Sequence, residues 1–472
     1  MPSLLTTRAQ VNGYRFLVRR LEHAMVRRDV RMLHDPMSSQ LRSLIIGLVL
    51  AVLATAGCAI LAILRPQGTL GDAHIVVGKD SGALYVVVDN VLHPALNLAS
   101  ARLIVGSAES PTSVKDAKLS AMARGPILGI PGAPAALPLS GSSDSLTWAL
   151  CDTIDPSPDP GEQLSTTVLA GAGAVNDHAR EISSSEALLA ERDGQTFLLY
   201  NGQRAHLDLG NDVIVRALRL QGAIARPISS GLLDATVEVP AIAPPAIPHE
   251  GESATGRLSN LRVGTVIKVI GVQSTELYVI VSDGVQRVSA FAADLIRAAD
   301  SQGMSEITVV PPDALKGVPV RDELPIDTFP TQRPTIIPGA DAPVACIAWS
   351  KFGAGPAVLH LMAGSRVPLP DSAKPVTMAS SPADDHAGAA YIPASTGEYV
   401  QATGIEPDST RRDSLFYVAD NGIRYGIPDT GTATMLGLSN PRPAPWQILS
   451  QFVAGPTLTR TSALTAYDRL PQ

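Results

Sequence analysis

Several groups of residues in this chain have types and spacings that bear on chemistry. Gly78-Lys79-Asp80 is the nearest approach to a phosphate-binding loop. Such a loop wraps phosphates in backbone N–H groups and holds magnesium with a Ser or Thr hydroxyl placed after the lysine. It also needs a glycine five residues before Gly78, where Ala73 stands, and Asp80 occupies the hydroxyl position and would repel phosphate. Asp384-Asp385-His386 is an acidic cluster of the kind that holds a cation weakly, but Pro382, Gly388 and the small residues around it predict a solvated loop. His249-Glu250 lacks the second histidine of a zinc helix, and there is no Gly-x-Ser-x-Gly elbow. His93, His206 and His360 sit in or beside β-rich runs and read as strand residues. No catalytic set, cofactor site or metal site emerges from this search.

Cys151 and Cys346 remain. Neither has a second Cys or a His at ligand spacing, so metal binding is not expected. Their surroundings mirror each other, Trp148-Ala-Leu-Cys151 against Cys346-Ile-Ala-Trp349, each reading as a short buried strand with an aromatic anchor. In an oxidising compartment the pair is most simply a disulfide; in a reducing one, two free buried thiols.

The compartment follows from the N-terminal elements. Between Arg42 and Arg65 lie 22 residues without a charge, SLIIGLVLAVLATAGCAILAIL. As a helix they extend about 33 Å, enough to cross a hydrocarbon core of about 30 Å. The arm before them carries eight arginines and three acids, a sum of +5; the whole chain is −7, which leaves −12 for residues 43–472. Basic flanks stay in the cytoplasm, so the arm is expected inside and the 408 residues after the span outside. A cleaved signal peptide is the alternative, disfavoured by the long basic region and the length of the apolar run. Cys58, within the run, reads as helix surface. The acidic outer part disfavours nucleic-acid binding.

Within the arm, Val11, Tyr14, Leu17, Val18, Leu21 and Met25 recur at near-helical spacing with arginines between them. An amphipathic helix of this kind suits anionic lipid or a cytoplasmic protein partner. Tyr14, Arg15, Phe16, Arg19 and Arg20 are the expected docking residues.

The outer part is rich in Gly (39 in the chain) and Pro (38) and poor in aromatics at 4%, which predicts many short elements joined by tight turns. Four stretches share a plan: Leu84–Ala95, Thr196–Leu207, Leu277–Val288 and Leu415–Gly426. Each is a β run, a turn and a second strand, with Asn201-Gly202, Asp283-Gly284 and Asn421-Gly422 as hairpin turns and Asp89-Asn90 as a degenerate version. A helix-like segment follows each hairpin: Ala95–Val105, Asn211–Leu220, Ala290–Ala299 and Thr430–Leu438. The expected organisation is α+β. It comprises a basic arm (1–42), a membrane helix (43–64) and repeat modules at 74–126, 191–240, 259–325 and 409–472. A central β-rich domain is built from 127–190 and 326–408, and 241–258 is an exposed Pro-rich connector.

The chain resembles the EccB family, membrane components of mycobacterial type VII (ESX) secretion systems. The likeness is carried by Thr7-Arg-Ala-Gln-Val-Asn-Gly-Tyr-Arg-Phe-Leu-Val-Arg-Arg-Leu21, Arg65-Pro-Gln-Gly68, Ser81-Gly-Ala-Leu-Tyr-Val86, Gly125-Pro-Ile-Leu-Gly-Ile-Pro-Gly-Ala-Pro134, Leu150-Cys-Asp152, Asn421-Gly-Ile-Arg-Tyr-Gly-Ile-Pro428, Ala444-Pro-Trp446 and Gly455-Pro-Thr-Leu458. The resemblance implies a single-pass protein of the bacterial plasma membrane with a cytoplasmic N-terminus. Four periplasmic repeat modules would surround a disulfide-containing domain, the disulfide mapping to Cys151 and Cys346. It implies assembly with EccC, EccD, EccE and a mycosin protease, self-association, and contact with peptidoglycan as a further expectation. Members are often labelled ATPases. The sequence supplies no motif for that label, so ATP is a cofactor only if the label holds.

Overall fold

The computed structural model describes residues 7–31, 36–64, 71–138, 145–155, 164–171, 178–271, 274–378 and 386–468; Asp384 and Asp385 lie outside these. The chain forms two compact units, Met1–Gly71 and Asp72–Gln472. The first holds two helices. Arg8–Arg27 opens on Thr7, whose N–H donates to Gln10 Oε1 at 3.0 Å, and stops at Arg28, which turns left-handed at φ 56°. Pro36–Leu64 opens on a proline, which suits a first helical turn because its missing N–H would be unpaired there anyway. Its stretch Gln40–Leu61 has a mean hydropathy of 2.7, and none of its residues is buried. The one hydroxyl in that stretch beyond Ser43, Thr55, donates back to Ala51 O at 2.8 Å, as a polar group in lipid must.

In the second unit, four sheets share one strand order. In the sheet of residues 266–321, Val266–Ile270, Thr275–Val281 and Gly284–Val288 form an antiparallel meander. Helix Ala290–Ala299 then carries the chain back to Thr308–Val310, parallel to the opening strand, and a short helical turn leads to Val320–Arg321, parallel to the third. A helix is the usual way to make a parallel return. The order repeats in the sheets that open with Glu186–Arg192 and Gly397–Thr403. The sheet that opens with Ile75–Gly78 has four strands, with a bridge from Leu92 to Arg124 in place of the fifth. Polar caps start the crossing helices: Asn97, Asn211, Ser289 and Asp429 each accept a backbone N–H at 2.7–3.1 Å, filling a donor that the first turn leaves unpaired.

Three expectations are revised. First, the turn of the third hairpin is Ser282-Asp283, because Val281 pairs directly with Gly284, and neither Asp283 nor Gly284 has positive φ. Gly284 is needed for space, since a Cβ there would stand 2.3 Å from Pro319 O. Asp89 and Asn90 do adopt the left-handed pair, at φ 49° and 61°. Second, two of the four opening strands fall across or outside the expected module limits, while Ile75–Gly78 and Val266–Ile270 lie within theirs. Glu186–Arg192 straddles 190/191, and Gly397–Thr403, within the stretch assigned to the central domain, pairs with Leu415–Ala419. The hairpin motif starts one strand too late to mark them. Third, the Pro-rich stretch 240–257 is not a free connector: Ile242, Ile247 and Ala254 are buried, because apolar residues between the prolines have cores to fill.

A seven-stranded sheet lies between the others. Its order is Val376–Thr377, Ala389–Tyr391, Leu164–Ala170, Ser145–Ile154, Val344–Phe352, Ala357–Gly364, Ala179–Glu181. The two middle strands are antiparallel in a register that pairs Trp148 with Trp349 and Cys151 with Cys346. Residues alternate between faces along a strand. Trp148, Leu150, Ile347 and Trp349 therefore share one face and a core with the second and fourth sheets. Ala149, Cys151, Cys346 and Ala348 share the other, with Met362 and Leu369. The cysteines form a disulfide with a Cα–Cα distance of 4.1 Å across 195 residues of sequence. The remaining cores pair first sheet with fourth and second with third. Arg102 Nη1 donates to Leu436 O at 2.7 Å, and Tyr200 Oη to Thr328 O at 2.7 Å.

Replacing both cysteines, Cys151→Ala with Cys346→Ala, should lower the unfolding free energy of the outer unit by about 2–5 kcal/mol, because a long loop is no longer closed in the unfolded chain. Denaturant titration of wild type and variant checks this.

Candidate functional site

The loop at Gly78 is the place where a phosphate would have to bind. Its backbone N–H groups do converge, but on a side chain of the chain itself. Asp80 N and Ser81 N donate to Asp116 Oδ2 at 2.9 and 2.8 Å, and Ser81 Oγ donates to Oδ1 at 2.9 Å. The Ser81 hydroxyl bond, with the backbone bonds, holds the Asp116 carboxyl below its usual range. A carboxylate occupies the position of the anion. The histidines are engaged as structural residues. His93 Nδ1 lies 3.0 Å from Pro126 O, His206 packs edge-on against Phe197, and His386 Nδ1 lies 3.1 Å from Ser450 O. His360 Nδ1 is 3.0 Å from Glu181 Oε1, and His249 is 3.3 Å from Glu252. Among the described residues no group of three His, Cys, Asp or Glu is placed to hold a metal.

The arm helix presents its expected docking residues to solvent; Tyr14 is 71% exposed and Phe16 55%. They do not share a face. Side chains three and four apart align on a helix. Tyr14 therefore joins Leu17, Val18, Leu21 and Met25 in an apolar stripe, while Phe16 stands with Arg19 and Arg20 on the cationic side. The helix thus offers two distinct surfaces, a fully exposed apolar one and a basic one with a single aromatic ring.

The polar groups of greatest energetic consequence were not singled out by spacing. Asp152, next to the disulfide, is 1% exposed. It accepts from Ser229 N at 2.7 Å, Ser229 Oγ at 2.8 Å and Thr166 Oγ1 at 2.8 Å. Burial pushes its carboxyl up; the bonds from Ser229 and Thr166 and the charge of Arg226 oppose that shift. Burial draws the Arg226 guanidinium down to about 10, and it donates to Ala342 O at 3.1 Å and Pro343 O at 2.9 Å. This cluster fastens the second sheet to the two middle strands. The fourth sheet is fastened differently, by Phe452 edge-on to Trp148 at 6.0 Å. Within it, buried Glu398 pairs with Arg442, and Arg424 lies 5.0 Å from the centroid of the Trp446 ring. The signal available in the sequence was an aspartate as the one charged residue of the strand Ser145–Ile154.

A long apolar helix and a basic amphipathic helix, followed by sheets of common order locked to a disulfide-tied sheet, define a protein with one candidate membrane anchor and a large multi-sheet unit. Comparison supplies the family. A model described as "Type VII secretion system ESX-1, transport TM domain B" matches residues 3–472, and the chain belongs to this family, EccB. It is 36% identical to "ESX-3 secretion system ATPase EccB3" of Mycolicibacterium smegmatis, over 98% of this chain and 91% of that protein. It is 36% identical to "ESX-2 secretion system ATPase EccB2" of Mycobacterium tuberculosis, over 100% and 97%. Among solved structures it is similar to a chain of an intact ESX-5 inner membrane complex, with TM-score 0.76, 29% identity and coverage of 100% and 98%. It is also similar to the EccB3 dimer from the ESX-3 core complex, with TM-score 0.73, 33% identity and coverage of 84% and 100%.

Two measurements follow from this geometry. Asp152→Ala leaves the Ser229 and Thr166 donors without their acceptor and should cost about 1–3 kcal/mol of unfolding free energy in denaturant. Glu186 takes two bonds from Arg180, at 2.6 and 2.8 Å, and these draw its carboxyl down to about 2 from the ordinary 4.5. A lowered carboxylate pKa adds stability above the unfolded value and loses it as pH falls towards the folded one. The Glu186 contribution should therefore be complete above about pH 4.5 and vanish towards pH 2. Glu186→Gln should flatten that part of the stability profile.

Proposed function

We propose that this chain is a structural, membrane-anchored subunit of a type VII (ESX) secretion complex. The observation that carries the reading is the match along the whole chain to EccB, together with the likeness to a chain of an ESX inner membrane complex. In this reading the arm lies in the cytoplasm, Gln40–Leu61 spans the membrane once, and the outer unit stands in the periplasm, as the arginine bias directs. The oxidised cysteine pair supports the same side, since structural disulfides persist in oxidising compartments. The four sheets of common order are copies of one module around the disulfide-tied central domain. With the opening strands included, the later three modules run over 186–239, 266–321 and 397–454.

The arm docks cytoplasmic partners through its two exposed surfaces, with EccC, EccD and EccE as the expected subunits and a mycosin protease outside. Self-association is supported by the dimer solved for the similar EccB3. Relatives bear the word ATPase in their names. The Asp116 carboxylate, seated where the Gly78 loop would take phosphate, favours a chain that works without ATP.

Removing residues 1–31 should prevent recovery of the membrane complex on native gels while the outer unit keeps its disulfide and its unfolding transition. Normal assembly without the arm would refute its docking role. Calorimetry with millimolar ATP should give no heat of binding.

A further inference from the structure

Three hairpins carry a glycine one residue before the position that pairs with the closing parallel strand, within the turn in two of them and as the first paired residue of the returning strand in the third. Gln203 pairs with Val237, Ile423 with Val453 and Val285 with Val320, so Gly202, Gly422 and Gly284 correspond. Two of these tips are covered by the central domain. A Cβ on Gly202 would stand 2.8 Å from Leu359 Cβ; one on Gly422 would stand 2.9 Å from Ala390 Cβ and 3.0 Å from Met378 Sδ. In both cases an apolar side chain from a neighbouring element presses on the hairpin tip.

At Gly284 the same position is filled from its own sheet, since a Cβ there would stand 2.3 Å from Pro319 O, and the surface beside it is open. Asp283 and Gly284 border a cavity of about 350 Å³ lined by residues 254–258, 280–281, 283–284 and 316–319. Its floor is apolar and buried, with Leu258, Ile280 and Val281. Its rim carries two exposed cations, Arg257 and Lys316. The acid on the rim does not neutralise them: Asp283 is held by Arg321 at 2.5 and 3.2 Å. Arg257 reaches only Asp313 O, at 3.5 Å. An apolar floor beneath two uncompensated cations is unusual on a surface whose chain, from residue 43 on, sums to −12.

We propose that this cavity docks a polypeptide segment of another protein that inserts one apolar side chain flanked by carboxylates. The volume lies in the range of small ligand pockets and admits a leucine-sized side chain with adjoining backbone. The carboxylates meet Arg257 and Lys316, which supplies selectivity and a dependence on salt.

The test uses the full chain in detergent micelles and an end-blocked synthetic peptide of sequence Glu-Asp-Leu-Asp-Glu bearing a photo-crosslinker. Crosslinks should fall on 254–258 and 316–319. Affinity should drop about tenfold in Arg257→Glu with Lys316→Glu, and drop again when the peptide leucine becomes alanine. Thr255→Trp, which fills the mouth of the cavity, should abolish binding with an unchanged unfolding transition. The proposal is overturned if binding is absent or indifferent to all three changes. It is also overturned if inorganic phosphate displaces the peptide and the leucine has no effect, since the site would then take anions alone. Self-association of the chain that disappears in the Lys316 variant would overturn it as well, by assigning the surface to a second copy.

Discussion

The outer unit depends on the pairing of Ser145–Ile154 with Val344–Phe352. Every other packing relation in that unit is reached from these two strands. Their tryptophan face supplies the core on which the second and fourth sheets rest, and those sheets carry the third and the first in turn. Pairing across nearly two hundred residues carries a large loop-closure cost, which the disulfide reduces by restricting the unfolded chain. The opposite face of the same strands bears the sulfurs, so one register fixes both the covalent tie and the aromatic core. A shift of one residue would exchange the two faces and bury neither correctly.

The two neighbours of the central sheet are attached by different physics. The fourth sheet rests on apolar packing, with Phe452, Ile448 and Leu449 against Trp148 and its surroundings. The second sheet adds buried charge, through Asp152, Arg226 and Ser229. Apolar packing tolerates small sliding, whereas a buried carboxylate with three donors accepts one geometry. In a structural subunit of an assembly, that constraint fixes the direction in which the second and third sheets extend.

Much of this was legible in the sequence because hairpins announce themselves locally. Leu84-Tyr-Val-Val-Val and its three counterparts combine strand-forming residues with turn residues, and a helix-like segment follows each. The mirrored Trp-Ala-Leu-Cys and Cys-Ile-Ala-Trp segments are the antiparallel register itself, read in opposite directions. The opening strands were missed for a physical reason. Glu186–Arg192 and Gly397–Thr403 take their place from partners on both sides, and a sequence such as GEYVQAT has little to distinguish it from a loop until those partners are known. The burial of Asp152 was equally hidden, since its three donors come from Thr166 and from Ser229, far along the chain. The amphipathic helix of the arm was legible from its spacing, but the division of Tyr14 from Phe16 between two faces appears only once the helix is laid out.

The central claim joins the register of the middle strands to the side of the membrane on which they fold. Mass spectrometry of the chain taken from intact membranes, alkylated before any reduction and then digested, tests both at once. The account predicts a disulfide-linked peptide pair containing Cys151 and Cys346, with Cys58 alone recovered as a thiol. Recovery of Cys151 and Cys346 as alkylated free thiols would contradict it.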